Sequence, residues 1–475
     1  MAKSKDKIKI SFVGPSADGV TGSCIWIKTP DRQVLLECGL YQSCGSTLET
    51  YKVNNKHFEF KPKEIDYLFV CHNHVDHIGL APRLYAKGCR APMIMPNGSK
   101  KIAEILLRDS ANIMKTDAEE LSDKFKREYF PLFADGDVDV CLKHYVEYEI
   151  GGLIQLDEFI KFRFIPSGHI LNSAQIELWV TYGNLTKKIV YTSDLGNVHI
   201  KKYYTNEFKS ISKCDVFIGE STYARENRIA NMKMRVKDLE KLESAIRQTC
   251  IEDGARVLIP TFANDRTQNM LTYLYDIFGH DENFNVPVLV DSPMAKRCCQ
   301  AYSEVLNGDD AEKWNEVLQW ENVRFIDSST ESREWRDKDE PMVVLSSSGM
   351  LTKGRSVGWV YSILPRSKDR IIFCGYSAEG SIGAIIKEGT QKTITVSGVR
   401  RANKCQVTNL LSFSSHMQRD SLLSYYGSVE CEKVILVHGE MQGKIDFAKD
   451  LQDEISKNNN TSRVVVAQKG YELSV

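Results

Sequence analysis

The sequence predicts an α/β protein in which an α/β unit with a parallel sheet interrupts another, β-rich domain. Three observations carry this. From residue 8 to about 220 the chain is mainly short apolar runs broken by turn residues. After about 225 strands alternate with helices, the grammar of βαβ units. The last ninety or so residues return to β-character. The expected domains are 1–224, the insertion 225–385, and 386–475 as the resumed first domain.

The elements follow in order. "IKISFVG", "SCIWIKT" and "QVLLECGLYQ" are hairpin-like strands, and "IDYLFV" is a buried strand that ends in the loop "CHNHVDH". Helical periodicity occupies about 100 to 130. Strands are expected at "FIKFRFIPSG", "AQIELWVTYG", "KKIVYTSD" and "CDVFIGE". In the insertion, "RVLIPTF", "VPVLVDS", "MVVLSSS" and "RIIFCGY" are strands between helices such as "RTQNMLTYLYDIFG" and "PMAKRCCQAYSEVL". "KVILVHGE" and "RVVVAQ" are buried strands of the final segment.

Bulk properties narrow the function classes. Lys+Arg 62 against Asp+Glu 63 leaves no basic excess, so contact with nucleic acid has to come from a local groove. Thirteen cysteines without a CxxC pair, after an N-terminus "MAKSKDKIKI" that lacks an apolar core, read as reduced thiols of a cytoplasmic protein. No apolar run approaches the roughly 20 residues that span a bilayer, so a membrane role is not expected.

The chemistry concentrates in residues 71 to 80, "CHNHVDHIGL". His72, His74, Asp76 and His77 stand there in a chain with ten histidines. His72 and His74, two apart beyond a strand, project to one face, while Asp76 and His77 turn in from the loop. Imidazole and carboxylate suit zinc, and such a cluster serves two ions at once. One motif supplies too few donors for two sites. His169 in "PSGHILNSA", Asp194 in "YTSDLGN" and His438 in "LVHGE" lie at or near strand ends and are the candidate additional ligands.

"HNHVDH", "SGHILNSA" and "TSDLGN", in that order, resemble the signature of the metallo-β-lactamase fold, an αββα sandwich. The insertion, with "GESTYA", "FSSHMQRD" and "LVHGE", resembles its β-CASP branch, which processes nucleic acids. Further matches at "PTFANDRTQ", "VDSPMA", "SSGML" and "GYSAEGSIG" extend the likeness over nearly the whole chain. The resemblance implies one metal on His72, His74 and His169, a second on Asp76, His77 and His438, and Asp194 bridging them. It implies zinc, with manganese as the alternative occupant. The His438 motif resembles the RNA-processing members, and the expected type is a short bacterial or archaeal one.

The implied reaction is phosphodiester hydrolysis of single-stranded RNA, as an endoribonuclease with 5′-to-3′ exonucleolytic action as an added capacity. Two divalent ions generate hydroxide, Asp76 orients it, and His416, paired with Glu220, donates a proton to the leaving oxygen. By residue type alone, Glu220 reads as a strand-end carboxylate and His416 as a neighbour of a helix cap. In the insertion, Ser347 and Ser348 are candidates to cradle a phosphate at a helix N-terminus, and Arg266 is either a phosphate clamp or a structural ion-pair partner. Tyr223 is either a base-stacking platform or a packing residue.

Some residues depart from the family pattern. Glu37 stands where Asp is usual, at a position that orients a ligand. Asn172 and Asp265 each replace a glycine, and Asn269 replaces a glutamate. Two other function classes remain: a thioester or lactam hydrolase on the same scaffold, and a non-catalytic subunit of an RNA-processing complex. The expected assembly is a homodimer or such a complex.

Overall fold

The computed structural model describes residues 8–43, 46–225, 231–351, 353–375, 377, 380–458 and 460–475. Thr352 of "SSSGMLTKG" and Tyr376, Ala378 and Glu379 of "GYSAEGSIG" therefore lie outside the described residues. The chain divides into two compact units. One comprises 1–198, 205–228 and 415–475; the other comprises 199–204 and 229–414.

The first unit is built on two seven-stranded sheets. One runs, in spatial order, Glu472–Ser474, Lys9–Phe12, Ile25–Lys28, Gln33–Leu36, Tyr67–Phe69, Met93–Pro96 and Tyr145–Tyr148. The other runs Arg463–Val466, Lys433–Val437, Val216–Glu220, Leu185–Tyr191, Ala174–Tyr182, Ile160–Pro166 and Ile154–Gln155. Alternation turns one face of each sheet inward. Ile10, Ile27 and Phe69 from the first pack with Phe162, Ile176 and Ile189 from the second in a shared buried core. Each such side chain removed from water contributes about 1.5–3 kcal/mol.

Helices cover both outer faces, giving the αββα layering. Leu68 and Met93 pack against Leu84, Leu107 and Val138 of the helices Ala81–Ala86, Lys100–Phe125 and Asp135–Leu142. On the other side, Phe217 and Leu436 pack against Tyr426 and Phe447 of the helices Arg419–Ser428 and Met441–Lys457. The final segment thus carries two long helices and is not purely β. Its strand Arg463–Val466 is half-exposed because it lies at a sheet edge.

The second unit has a six-stranded sheet in the order Val323–Phe325, Val288–Asp291, Met342–Ser346, Arg256–Pro260, Arg370–Phe373 and Gln406–Asn409, every neighbouring pair parallel. Leu258, Val344 and Trp359 anchor one of its faces. Gln406–Asn409 pairs with Arg370–Phe373, so residues 386–414, expected with the resumed first domain, belong to this unit. The hydrogen bonds of that edge strand, which its sequence does not reveal, move the boundary. Among the described residues no helix is long and apolar enough to cross a membrane.

Candidate metal centre

Four strands of the first unit end at one place: Tyr67–Phe69, Leu185–Tyr191, Val216–Glu220 and Lys433–Val437. Each runs parallel to a neighbour, and the carboxyl ends of such strands are where α/β sheets place ligands. After Tyr67–Phe69 the chain passes through His72 and His74 into one helical turn, Val75–Ile78, which carries Asp76 and His77. That turn is braced from outside: Ser23, Cys38 and Leu40 donate their N–H groups to the carbonyls of Asp76, His77 and Val75 at 2.8, 2.8 and 3.0 Å. Gly39 lies so close that a Cβ there would be 1.7 Å from the Asp76 carbonyl oxygen. No other residue fits.

The predicted donors converge. His72 Nε2 and His169 Nε2 lie 3.1 and 3.3 Å from His74 Nδ1, and 3.6 and 3.5 Å from Asp194 Oδ2. The other oxygen, Oδ1, is 3.3 Å from His77 Nε2 and 3.5 Å from His438 Nδ1. Asp76 Oδ2 is 3.4 Å from His438 Nε2 and 3.8 Å from His77 Nε2. Asp194 thus turns one carboxylate oxygen to each histidine set, the arrangement a bridging ligand needs.

These separations test whether a cation fits. Four donors at about 2.0–2.1 Å around one zinc are spaced about 3.3–3.4 Å along the edges of a tetrahedron. The observed 3.1 to 3.6 Å brackets that value. His77 Nε2 and Asp194 Oδ1, both buried, face each other at 3.3 Å without a well-formed hydrogen bond, as expected of two atoms placed around an ion. Burial holds His72 and His169 well below the ordinary histidine value, which keeps both rings neutral and able to ligate. For His77 burial works in the same direction, but the charges of Asp194 and Asp76 outweigh it and hold the ring above its ordinary value. The residues fit divalent metal.

An outer layer orients them. Glu37, fully buried, accepts the Ser193 hydroxyl at 3.0 Å and the Cys71 N–H at 3.3 Å, and its Oε1 lies 3.4 Å from His77 Nδ1. Ser193 Oγ also reaches His72 Nδ1 at 3.1 Å. Thr222 Oγ1 stands 3.1 Å from His438 Nδ1, and Ser173 Oγ accepts the His169 N–H at 3.0 Å. Ser193, Thr222 and Ser173 were not foreseen from sequence, although all three lie inside the motifs "YTSDLGN", "GESTYA" and "SGHILNSA". Glu37, Ser193 and His438 hold left-handed backbone, at φ 65°, 50° and 51°. Such strain gathers where a site aims its side chains.

His416 sits beside this cluster, its ring 4.5 Å from that of His169 and its Nδ1 3.3 Å from Glu220 Oε1. Glu220 is itself pinned by the N–H groups of Leu195 and Thr222 at 3.1 and 2.9 Å. Burial pulls the His416 imidazole down, but Glu220, with Asp194 and Asp76 behind it, outweighs that and raises it above the ordinary histidine value. Exposure sorts the residues: the His416 and Asp76 side chains each keep 19% of their surface in solvent, against 0–4% for His72, His77, His169, Asp194 and His438. Tyr223, 1% exposed, is a packing residue and not a base platform.

Ser347, Ser348 and Arg266 belong to the other unit: the serines lie on the loop after Met342–Ser346, and Arg266 opens the helix Arg266–Phe278 after the adjacent parallel strand Arg256–Pro260. Ser347 Oγ is buried without a hydrogen-bond partner, and Ser348 Oγ donates to the Lys353 carbonyl at 3.2 Å. Arg266 Nη1 donates to the Cys374 carbonyl at 2.6 Å, which makes a structural bond part of its role. The departures from pattern have reasons. Asn172 and Asp265 occupy left-handed backbone at φ 57° and 71°, where glycine is easiest and Asn or Asp next. Asp265 turns its buried carboxylate onto Lys202 at 2.8 Å, and Asn269 donates to it at 3.2 Å.

An αββα sandwich with such a donor cluster at one sheet edge defines a metallo-hydrolase, and residues 17–88 match the model of the metallo-β-lactamase superfamily. Residues 267–386 match the Beta-Casp domain, and 402–462 match a Zn-dependent metallo-hydrolase RNA specificity domain. A ribonuclease of Thermus thermophilus, TTHA0252, is 30% identical over 91% of this chain and 94% of its own length. The transcription termination factor FttA of Methanocaldococcus jannaschii is 30% identical over 93% of this chain and 68% of its own length, and Integrator complex subunit 11 of Danio rerio is 26% identical over 94% and 72%. The chain belongs to the β-CASP ribonuclease family of metallo-β-lactamase-fold hydrolases. A solved structure from Enterococcus faecalis, of unknown function, shares the fold at a TM-score of 0.51 and 12% identity, covering 99% of this chain and 100% of that one.

Proposed function

We propose that the protein is a two-zinc ribonuclease that cleaves single-stranded RNA endonucleolytically, with 5′-to-3′ exonucleolytic action as a further capacity of the same site. The observation that carries this reading is the division of Asp194: one oxygen faces His72 and His169, the other His77 and His438. In it His72, His74 and His169 hold one ion, Asp76, His77 and His438 the other, and Asp194 both. Divalent ions so placed lower the pKa of water and polarise a phosphoryl oxygen. Manganese is the alternative occupant.

The chain's own groups do the rest. Glu37 fixes the His77 ring through Nδ1, leaving Nε2 for the ion. Asp76, partly exposed, orients the attacking water. Glu220 accepts from His416 Nδ1 and favours the imidazolium, so His416 Nε2 is the nitrogen that hands a proton to the departing oxygen. Ser347, Ser348 and Arg266 contact the phosphate backbone. The match of 402–462, which includes His416 and His438, to an RNA specificity domain supports RNA as the substrate. The names of the relatives support work in transcription termination or within a larger complex; a cytoplasmic location and a homodimer are the remaining parts of this proposal.

The test is elemental analysis of the purified protein, followed by incubation with labelled single-stranded RNA, single-stranded DNA and a chromogenic thioester. Two zinc ions per chain and RNA cleavage abolished by Asp76→Ala are expected. Thioester turnover without RNA cleavage overturns the reading in favour of a small-molecule hydrolase. Full metal content with no turnover of any substrate favours a scaffold subunit.

A further inference from the structure

The inserted unit holds a cavity of about 450 Å³ at the end of its sheet where the strands begin. Ser347, Ser348 and Arg266, proposed above to contact the phosphate backbone, follow the opposite ends of Met342–Ser346 and Arg256–Pro260, so this cavity is a separate place in the unit. Six cationic side chains line it: Arg256, Arg333, Arg336, Lys338, Arg366 and Arg401. Arg333 and Arg336 lie on the helix Ser329–Asp337, which Lys338 ends; the other three come from separate segments, and Asp337 is the acidic side chain of the lining.

Carboxylates neutralise only part of this charge. Buried Asp369 holds Arg256 at 2.6 Å and Arg366 at 3.2 Å, and Arg366 also pairs with Asp339. Among the described residues no carboxylate lies within ion-pair distance of Arg333, Arg336, Lys338 or Arg401. The cations are also positioned. Arg256 Nη1 donates to the Arg336 carbonyl at 2.8 Å, and Arg401 Nε to the Tyr361 carbonyl at 3.0 Å. The Arg336 guanidinium rests over Gly358, where a Cβ would be 1.7 Å from Nη1. A glycine inside the helix Arg355–Ile363 costs about 1 kcal/mol relative to alanine, and here it makes room for the arginine.

Tyr361, 37% exposed, adds an aromatic face with the Arg401 guanidinium 4.0 Å from its ring centre. A concave site lined by one sign of charge concentrates counter-ions, and guanidinium forks match phosphate oxygens. An aromatic ring beside them suits a base. The volume lies within the range of small-molecule sites.

We propose that this cavity is a second nucleotide-binding site, separate from the metal centre, in which Arg333, Arg336 and Arg401 hold a phosphate and Tyr361 faces the base. Its occupant is a phosphate-bearing nucleotide, supplied either by an RNA strand or by the free nucleotide pool. Arg333 and Lys338 are exposed, so Arg333→Glu/Lys338→Glu keeps the fold, which a parent-like melting curve checks.

The full chain and this double variant are titrated with adenosine 5′-triphosphate by calorimetry and with a fluorescein-labelled phosphorothioate RNA 10-mer by anisotropy. Weakening of at least about tenfold is expected, and for RNA a salt slope reduced by about 0.7, the contribution of the one single-strand phosphate that the site holds. Loss confined to the triphosphate assigns the site to free nucleotide, and loss that includes RNA assigns it to the strand. A second variant, Gly358→Ala, displaces Arg336 without changing charge and is expected to weaken the same ligand. Parent-like binding of both probes by the double variant overturns the proposal. So does equal weakening in Lys115→Glu/Lys124→Glu, a charge-matched variant on the other unit, because bulk charge then accounts for the effect.

Discussion

Replacing Glu37 with glutamine keeps the shape of the side chain and changes only its hydrogen-bonding character. The native carboxylate is acceptor-only and faces donors on every side: Ser193 Oγ at 3.0 Å, Cys71 N–H at 3.3 Å and His77 Nδ1 at 3.4 Å. Glutamine offers one acceptor oxygen, so its NH₂ must face one of those donors. If it faces His77, the ring loses the partner that presents Nε2 to the ion. Disturbing such an outer partner lowers metal affinity about 10–100-fold, or about 1.4–2.8 kcal/mol. If it faces Cys71, an unmatched buried N–H instead costs about 1–3 kcal/mol of folding stability. Glu37→Gln is therefore expected to weaken zinc binding, measured by chelator competition, or to lower the urea midpoint of the metal-free protein. A variant with parent-like zinc affinity and parent-like stability refutes the assignment of Glu37 as the anchor of His77.

Other predictions follow from the same geometry. His416→Ala is expected to slow RNA cleavage about 10²–10⁴-fold while leaving zinc content unchanged; loss of zinc along with activity would mean that His416 serves the cluster structurally. Phe162→Ala, in the core shared by both sheets, is expected to cost about 3–5 kcal/mol in chemical denaturation, and a loss under about 1 kcal/mol would contradict the packing described. Burial pushes Lys444 down from 10.5 to about 8, although its ammonium donates to the carbonyls of Ala17 and Ala467. Between these values the unfolded chain binds more protons, so stability rises with pH there, by up to about 3 kcal/mol. The stability of the parent relative to Lys444→Met is thus expected to improve from pH 7 to 10, and a flat difference counts against it.

What could be read from the residues alone was the chemistry and its order along the chain. His72, His74, Asp76 and His77 announce themselves by density, and His169, Asp194 and His438 by position after apolar strands. The supporting layer was mostly hidden. Ser193 looks like any loop serine, and nothing in its type encodes the φ of 50° that turns its hydroxyl toward Glu37 and His72. Short helices such as Thr47–Asn54 and Asp135–Leu142 escaped for a related reason: elements of that length are stabilised by packing, and their own periodicity is weak. The second domain boundary failed at Gln406–Asn409, whose partner strand is a matter of hydrogen bonding.

The pairing of Val216–Glu220 with Lys433–Val437 joins two strands across the whole intervening insertion, and His438 follows the second directly. A nascent chain that has emerged only as far as the insertion carries His72 through Asp194 but lacks His416 and His438. If His416 and His438 act as proposed, hydrolytic competence is acquired late in synthesis. Loop closure over so long a span is slow, so on the proposed roles a half-built chain stays inert until its last strands have paired.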